Sequence, residues 1–165
     1  MSFASDFTLI DNTSDLHVVE TRPLVSPGLL HQDLPLDKQS AETVINTRQA
    51  IKSILRGQDS RILVIVGPCS VHDIKAAKDY AQRLQPLRSK YKDQLEIVMR
   101  VYFEKPRTTV GWKGLINDPH LDDSYDINTG LRKARSLLLD LARIGMPAAT
   151  ELLDPVVPQY IADLI

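Results

Sequence analysis

The chain has 165 residues, with 20 Lys and Arg against 21 Asp and Glu and a formal net charge of −1. That length supports one domain with its own core, and the balanced charge argues against bulk binding of nucleic acid or another polyanion. Its apolar runs are far shorter than a membrane span. Residues Met1–Asp6 lack the basic-then-apolar pattern of a signal peptide. The single cysteine, Cys69, has no intramolecular disulfide partner, so a reducing cytoplasm is the expected setting, with no membrane and no nucleic-acid partner.

Residues 1–36 are polar and irregular, with scattered prolines and no periodicity, and are read as an N-terminal arm or extension. The arm is expected to be either a disordered tail or a segment packing on another subunit. From Asp37 to Arg56 the pattern turns helical. Val44, Ile45, Ile51, Ile54 and Leu55 are placed on one face, and Gly57 stands just past the end. Arg61–Val66 is a β-branched apolar run without alternation, expected as a strand buried on both faces. It ends at Gly67-Pro68-Cys69-Ser70. A second helix begins near Asp73 and turns Ile74, Ala77, Ala81 and Leu84 inward, and Pro86 is expected to end or kink it.

Leu95–Phe103 reads as a second buried strand, followed by a long loop to about Ile127. Asn128 is the expected cap of a third helix, lined by Leu131, Ala134, Leu138, Leu141 and Ala142 and stopped by Gly145. Met146–Leu152 is a third strand. Pro158 opens a fourth helix at a position where its missing N–H costs nothing. The final residues, Tyr160–Ile165, resemble the middle of an amphipathic helix, so the chain is expected to be cut short of its natural end.

Strand–helix alternation implies a parallel sheet with right-handed crossovers. An open doubly wound sheet and a (β/α)8 TIM barrel compete. Gly67-Pro68-Cys69-Ser70 is not a glycine-rich dinucleotide fingerprint. The C-terminal ends of the expected strands carry Cys69, then Arg100, Lys105 and Arg107, then Glu151, and barrels place function at that end. The barrel is therefore favoured. Such a fold takes about 250 residues, so residues 37–165 would hold roughly the first three of its βα units.

The segment Met99–Asn117 carries the chemistry. Arg100 interrupts an apolar strand, and a buried guanidinium needs an anionic partner. That partner is either Glu151 on the next strand or a substrate. Pro106 stiffens the turn that holds Lys105, Arg107, Thr108 and Thr109, a set suited to a phosphate or carboxylate. Its bland alternative is a solvated loop. Cys69 is either a small buried hydrophobe or a thiolate metal ligand, completed by donors elsewhere. Trp112 and Lys113 are either a lid or a packed loop, and His72 and Asp73 either helix-start residues or catalysts.

Three blocks, Gly67–Asp73, Met99–Pro119 and Glu151–Asp154 with Pro158–Tyr160, strongly resemble the type I 3-deoxy-D-arabino-heptulosonate 7-phosphate (DAHP) synthases, the N-terminal half only. The resemblance implies a TIM barrel that condenses phosphoenolpyruvate with erythrose 4-phosphate, releases phosphate and opens the shikimate route to aromatic amino acids. It implies a divalent metal (Mn, Fe, Co or Zn) held by Cys69 with later residues. By the same resemblance, Arg100 and Lys105 are catalytic and hold phosphoenolpyruvate. Pro106, Arg107 and Thr108 contact the second substrate, and Glu151 lines the site. Asp154, Pro158 and Gln159 belong to a region answering an aromatic amino acid effector, and a homo-oligomer, dimer or tetramer, is implied. The alternatives are an inactive truncated fragment or subunit-association piece, and a 3-deoxy-octulosonate 8-phosphate synthase. The loop of that second enzyme carries Ala-Asn-Arg after the lysine, where this chain has Pro106-Arg107-Thr108.

Overall fold

Three parallel strands with helices between them make up the centre of the computed structural model, which describes residues 16–106 and 109–165. Arg107 and Thr108 lie outside the described residues. Helix α1 (Pro27–Asp33) and helix α2 (Lys38–Leu55) precede strand β1 (Ile62–Val66). Helix α3 (Ile74–Lys90) leads to strand β2 (Leu95–Arg100), and helix α4 (Ile127–Arg143) leads to strand β3 (Ala148–Ala149). Helix α5 (Pro158–Ile161) and a single 3-10 turn (Ala162–Leu164) follow. The sheet order is β1-β2-β3, with Val64 opposite Ile97, Val66 opposite Met99 and Arg100 opposite Ala149. No described helix is long and apolar enough to cross a membrane.

Helix starts are set by short polar side chains taking the first free N–H groups. Asp37 accepts from Ser40 N at 2.9 Å, Asp73 from Lys75 N at 2.7 Å and Ala76 N at 3.1 Å, and Asp126 from Thr129 N at 3.1 Å. The α4 cap is thus Asp126 rather than Asn128. Asn128 grips the arm instead: its Oδ1 accepts from Val25 N at 2.7 Å, and its Nδ2 donates to the Pro23 carbonyl at 3.1 Å.

The core gathers Ile97, Met99 and Val101, Ala77, Ala81 and Leu84 of α3, and Leu131, Ala134 and Leu138 of α4. Residues 23–34 close one side of it. Ser26 caps α1, Pro27 stands in its first turn, and Leu30 is fully buried in the main core. Part of the segment read as irregular is therefore ordered on its own chain. Helix α1 is too short for its period to register in sequence; Leu30 holds it in place through burial.

Four expectations shift. Helix α2 buries Ser40, Val44 and Thr47, while Ile45 and Leu55 face solvent, so its inward stripe is narrower and more polar than the apolar residues suggested. Strand β1 is an edge strand, and Ile62 and Ile65 are exposed rather than covered on both faces. Helix α3 runs through Pro86 because its last turn is tethered to β2: Arg88 Nε donates to the Ile97 carbonyl at 3.1 Å, and Nη2 to Glu96 at 2.7 Å. Strands β2 and β3 are shorter than read. Met146 N is used to close α4 by bonding to the Leu141 carbonyl, while the Tyr102 and Phe103 carbonyls accept from loop amides of Val71 and Ile116. Val101 N makes the last bond across to β3, on the Ala149 carbonyl at 2.8 Å.

Candidate anion and metal site

The ends of β1 and β2 come unusually close. A Cβ added at Gly67 would lie 2.5 Å from the Arg100 carbonyl oxygen and 3.0 Å from its nitrogen, so only a glycine lets the chain leave β1 along this path. That path presents Cys69 to the two cations of the next strand. Arg100 Nη2 donates to the Cys69 carbonyl at 3.1 Å and stands 4.0 Å from the sulfur. Lys105 Nζ lies 3.3 Å from the same carbonyl and 3.5 Å from the sulfur.

Arg100 is held from the other side by Tyr102, with Cζ 3.9 Å from the ring centroid. Its Nε is buried and has no hydrogen-bond partner among the described residues. Its contacts among the described residues are Cys69 and the Tyr102 ring, and Glu151 is exposed, so the expected Arg100–Glu151 ion pair is absent there. Cys69 is exposed as well, which removes the buried-hydrophobe reading. A guanidinium, an ammonium and a thiol therefore converge where, among the described residues, no acid pairs with them. Such an arrangement is suited to an anion, with a fork-like donor in Arg100 and a point charge in Lys105.

The loop behind the cations is built against them. Lys105 N donates to the Lys113 carbonyl at 3.0 Å. Gly114 has φ +109°, and a Cβ there would meet the Phe103 carbonyl oxygen at 2.1 Å. Trp112 is half-buried, donates Nε1 to the Asp118 carbonyl at 2.7 Å and meets His72 edge to face at 6.5 Å, which makes this a packed loop. His72 is exposed, and the carboxyl of Asp73 is held below its ordinary range by the Ala76 and Lys75 amides of the helix start. Pro106 and Thr109 are exposed.

Glu151, Asp154, Pro158 and Gln159 lie on the next connection. Asp154 accepts from Val156 N at 2.6 Å, Pro158 opens α5, and Gln159 is exposed. This connection meets the cation loop at Glu104, whose side chain is buried and accepts from Leu153 N at 3.3 Å. Burial chiefly pushes the Glu104 carboxyl above its ordinary range, and the charges of Asp154 and Glu151 add to that. Among the described residues no three His, Cys, Asp or Glu side chains converge on a common point, and Cys69 stands there as a single exposed sulfur. A separate hollow of about 700 Å³, lined by residues including Val18, Leu24, Tyr125 and Asn128, contains neither Cys69 nor the cation pair.

Two further charged residues had a sequence signal that went unused. Arg135 falls on the apolar stripe of α4 between Leu131 and Leu138 and is fully buried. It bonds to the Leu34 and Tyr160 carbonyls, each at 2.8 Å, and to both Asp163 oxygens at 2.7 and 2.8 Å. Glu96 interrupts β2 as Arg100 does, and is paired by Arg61 at 2.6 Å and Arg88 at 2.7 Å. Both carry structural ion pairs away from the C-terminal ends of the strands.

Comparison with known proteins follows this geometry. The chain is 59% identical over 151 residues to the Phe-sensitive phospho-2-dehydro-3-deoxyheptonate aldolase of Escherichia coli K12, covering 92% of this chain and 43% of that protein. It is 55% identical over 156 residues to the phospho-2-dehydro-3-deoxyheptonate aldolase of Amycolatopsis methanolica, covering 94% of this chain and 75% of that protein. A solved phospho-2-dehydro-3-deoxyheptonate aldolase from Francisella tularensis SCHU S4 superposes with a TM-score of 0.87 at 53% identity, over 90% of this chain and 43% of that one. The chain thus spans less than half the length of the Escherichia coli relative. The family profile matches residues 35–165, and the chain belongs to the DAHP synthetase I family.

Proposed function

We propose that this chain forms the phosphoenolpyruvate side of a DAHP synthase active site, in a protein that joins phosphoenolpyruvate to erythrose 4-phosphate and releases phosphate. The observation that carries the reading is the meeting of Arg100 and Lys105 on Cys69 across the ends of two adjacent parallel strands, without an opposing acid among the described residues. Parallel strands in the order β1-β2-β3, joined through helices, are what the opening of a (β/α)8 barrel requires, with residues 1–36 as the arm and 37–165 as barrel.

Arg100 receives the carboxylate or phosphate of phosphoenolpyruvate through its guanidinium, which no described carboxylate occupies. Lys105 donates a charge-assisted hydrogen bond to the oxygen that gains charge as C3 of phosphoenolpyruvate adds to the aldehyde. Pro106 keeps the following residues extended so that Arg107 and Thr108 reach the erythrose 4-phosphate phosphate, and Glu151 lines the same mouth. Cys69 fits one position of a divalent metal sphere, because its sulfur is exposed at the strand end; the remaining donors come from segments outside this chain. When bound, the metal acts as a Lewis acid on the aldehyde carbonyl.

Two relatives are named as Phe-sensitive and Trp-sensitive. Asp154, Pro158 and Gln159 are the effector-side residues in this reading, and an aromatic amino acid is the effector of a cytoplasmic homo-oligomer. A second reading concerns the chain alone. Ile62 and Ile65 lie exposed on the open edge of β1, which favours a polypeptide that turns nothing over until further strands cover it.

The test is a chimera. Residues 1–165 are joined to the remaining segment of the Escherichia coli relative and assayed with phosphoenolpyruvate plus erythrose 4-phosphate or arabinose 5-phosphate. Heptulosonate phosphate formation, lost on Lys105→Ala, supports the reading. A folded chimera that is inactive, or that prefers arabinose 5-phosphate, overturns it.

A further inference from the structure

The cation pair has a chemical consequence besides anion binding. Lys105 Nζ stands 3.5 Å from Cys69 Sγ, and the thiol is exposed. Among the described residues the only polar partners of the Lys105 side chain are the sulfur and carbonyl of Cys69. No described carboxylate competes for the ammonium. The lysine stem is flexible enough for its nitrogen to close the remaining gap without moving the backbone. Exposed thiols are the ones oxidants reach, and a sulfenic acid condenses with a neighbouring nitrogen when one is in range.

We propose that Cys69 and Lys105 form an oxidative modification site at which a peroxide joins them covalently. In the first step the sulfur attacks the peroxide: the O–O bond breaks, an S–O bond forms, the thiol becomes sulfenic acid and one water leaves. In the second, the Lys105 ammonium gives a proton to solvent and its nitrogen attacks that sulfur. The S–N bond forms, the S–O bond breaks, and the departing hydroxyl leaves as water once protonated. Overall, thiol, amine and one hydrogen peroxide give a sulfenamide and two waters. The sulfur is oxidised by two electrons and the peroxide is reduced by two. A thiol reductant reverses the link by attacking the sulfur.

On the functional reading above, the link removes together a metal donor and the ammonium that donates to the oxygen gaining charge. That consequence rests on the reading, whereas the chemistry does not.

The test uses the 165-residue chain, treated with a chelator and then with hydrogen peroxide, alkylated, digested without reductant and sequenced by tandem mass spectrometry. The expected product joins the peptide carrying Cys69 to the peptide carrying Lys105, weighs two hydrogens less than their sum and vanishes on treatment with dithiothreitol. Lys105→Arg and Cys69→Ser lose the product, with circular dichroism confirming that both fold. In Lys105→Arg the sulfenic acid is instead trapped by dimedone. Wild-type chain that yields only sulfinic acid or an intermolecular disulfide, or a link to a different lysine, overturns the proposal. Because the readout is mass, its failure leaves the chimera result standing, and an inactive chimera leaves the cross-link standing.

Discussion

Gly67→Ala tests the contact that aligns the site. The added Cβ would sit 2.5 Å from the Arg100 carbonyl oxygen and 3.1 Å from the Arg100 Cβ, and neither atom is the end of a flexible side chain. Ordinary contact requires the end of β1 to withdraw by about 1 Å. Overpacking of this kind costs about 1–3 kcal/mol. The same withdrawal carries Cys69 from its present 3.1 Å and 3.3 Å contacts with Arg100 and Lys105 past hydrogen-bonding reach. Urea denaturation of wild type, Gly67→Ala and a control, Gly28→Ala, reads the first effect. An added Cβ at Gly28 meets nothing within 4 Å, so that variant should be neutral or slightly more stable. An unchanged midpoint for Gly67→Ala would refute the packing argument.

Other outcomes follow from the packing and the charges. Leu30→Ala should cost about 2–5 kcal/mol, since that side chain is fully buried in the main core; a loss under about 1 kcal/mol would detach α1 from the core. Arg135→Met should cost about 3–5 kcal/mol by stranding Asp163 and two carbonyls, read from the same urea curves. Burial alone would raise the Asp163 carboxyl, but the hydrogen bond and charge of Arg135 more than offset it and hold the group low. The stability it contributes is therefore full above the carboxylate range of the unfolded chain and lost as pH falls through the lower folded value. Asp163→Asn should flatten that acid limb, and an unchanged limb would contradict the pairing. Glu104 has the opposite sign. Its folded carboxyl keeps a proton to higher pH than the unfolded chain does, so wild-type stability should fall as pH rises through the interval between the two values. Glu104→Gln should lack that fall and gain on wild type between acid and neutral pH; parallel curves would show that the carboxyl is unperturbed.

The local rules of the chain were readable because each acts over a few residues. Asp37 and Asp73 cap helices, Pro158 starts one, and the runs ending at Val66 and Arg100 are strands. The convergence of Cys69, Arg100 and Lys105 was readable for a topological reason: residues that follow the C-terminal ends of adjacent parallel strands share one rim of the sheet. Contacts between distant segments were not readable. Nothing near Asn128 says that it will hold Val25, 103 residues away, rather than cap its own helix. Leu30 is buried in a core built from residues about 40 to 130 positions further along the chain, and Glu104 takes its hydrogen bond from Leu153 N, 49 residues away. The extent of β3 depended on which amides α4 and the neighbouring loops had already taken, which no period in the sequence records.

The central claim is that Arg100 and Lys105 form one anion site beside Cys69. Phosphoenolpyruvate titrated into the purified chain, followed by calorimetry and by fluorescence of its single tryptophan, Trp112, tests it most directly. The account predicts saturable binding that is lost in Arg100→Ala and in Lys105→Ala and retained in Arg132→Ala, an α4 cation paired with Asp33. Binding that survives both substitutions, or that weakens equally in all three variants, would contradict it.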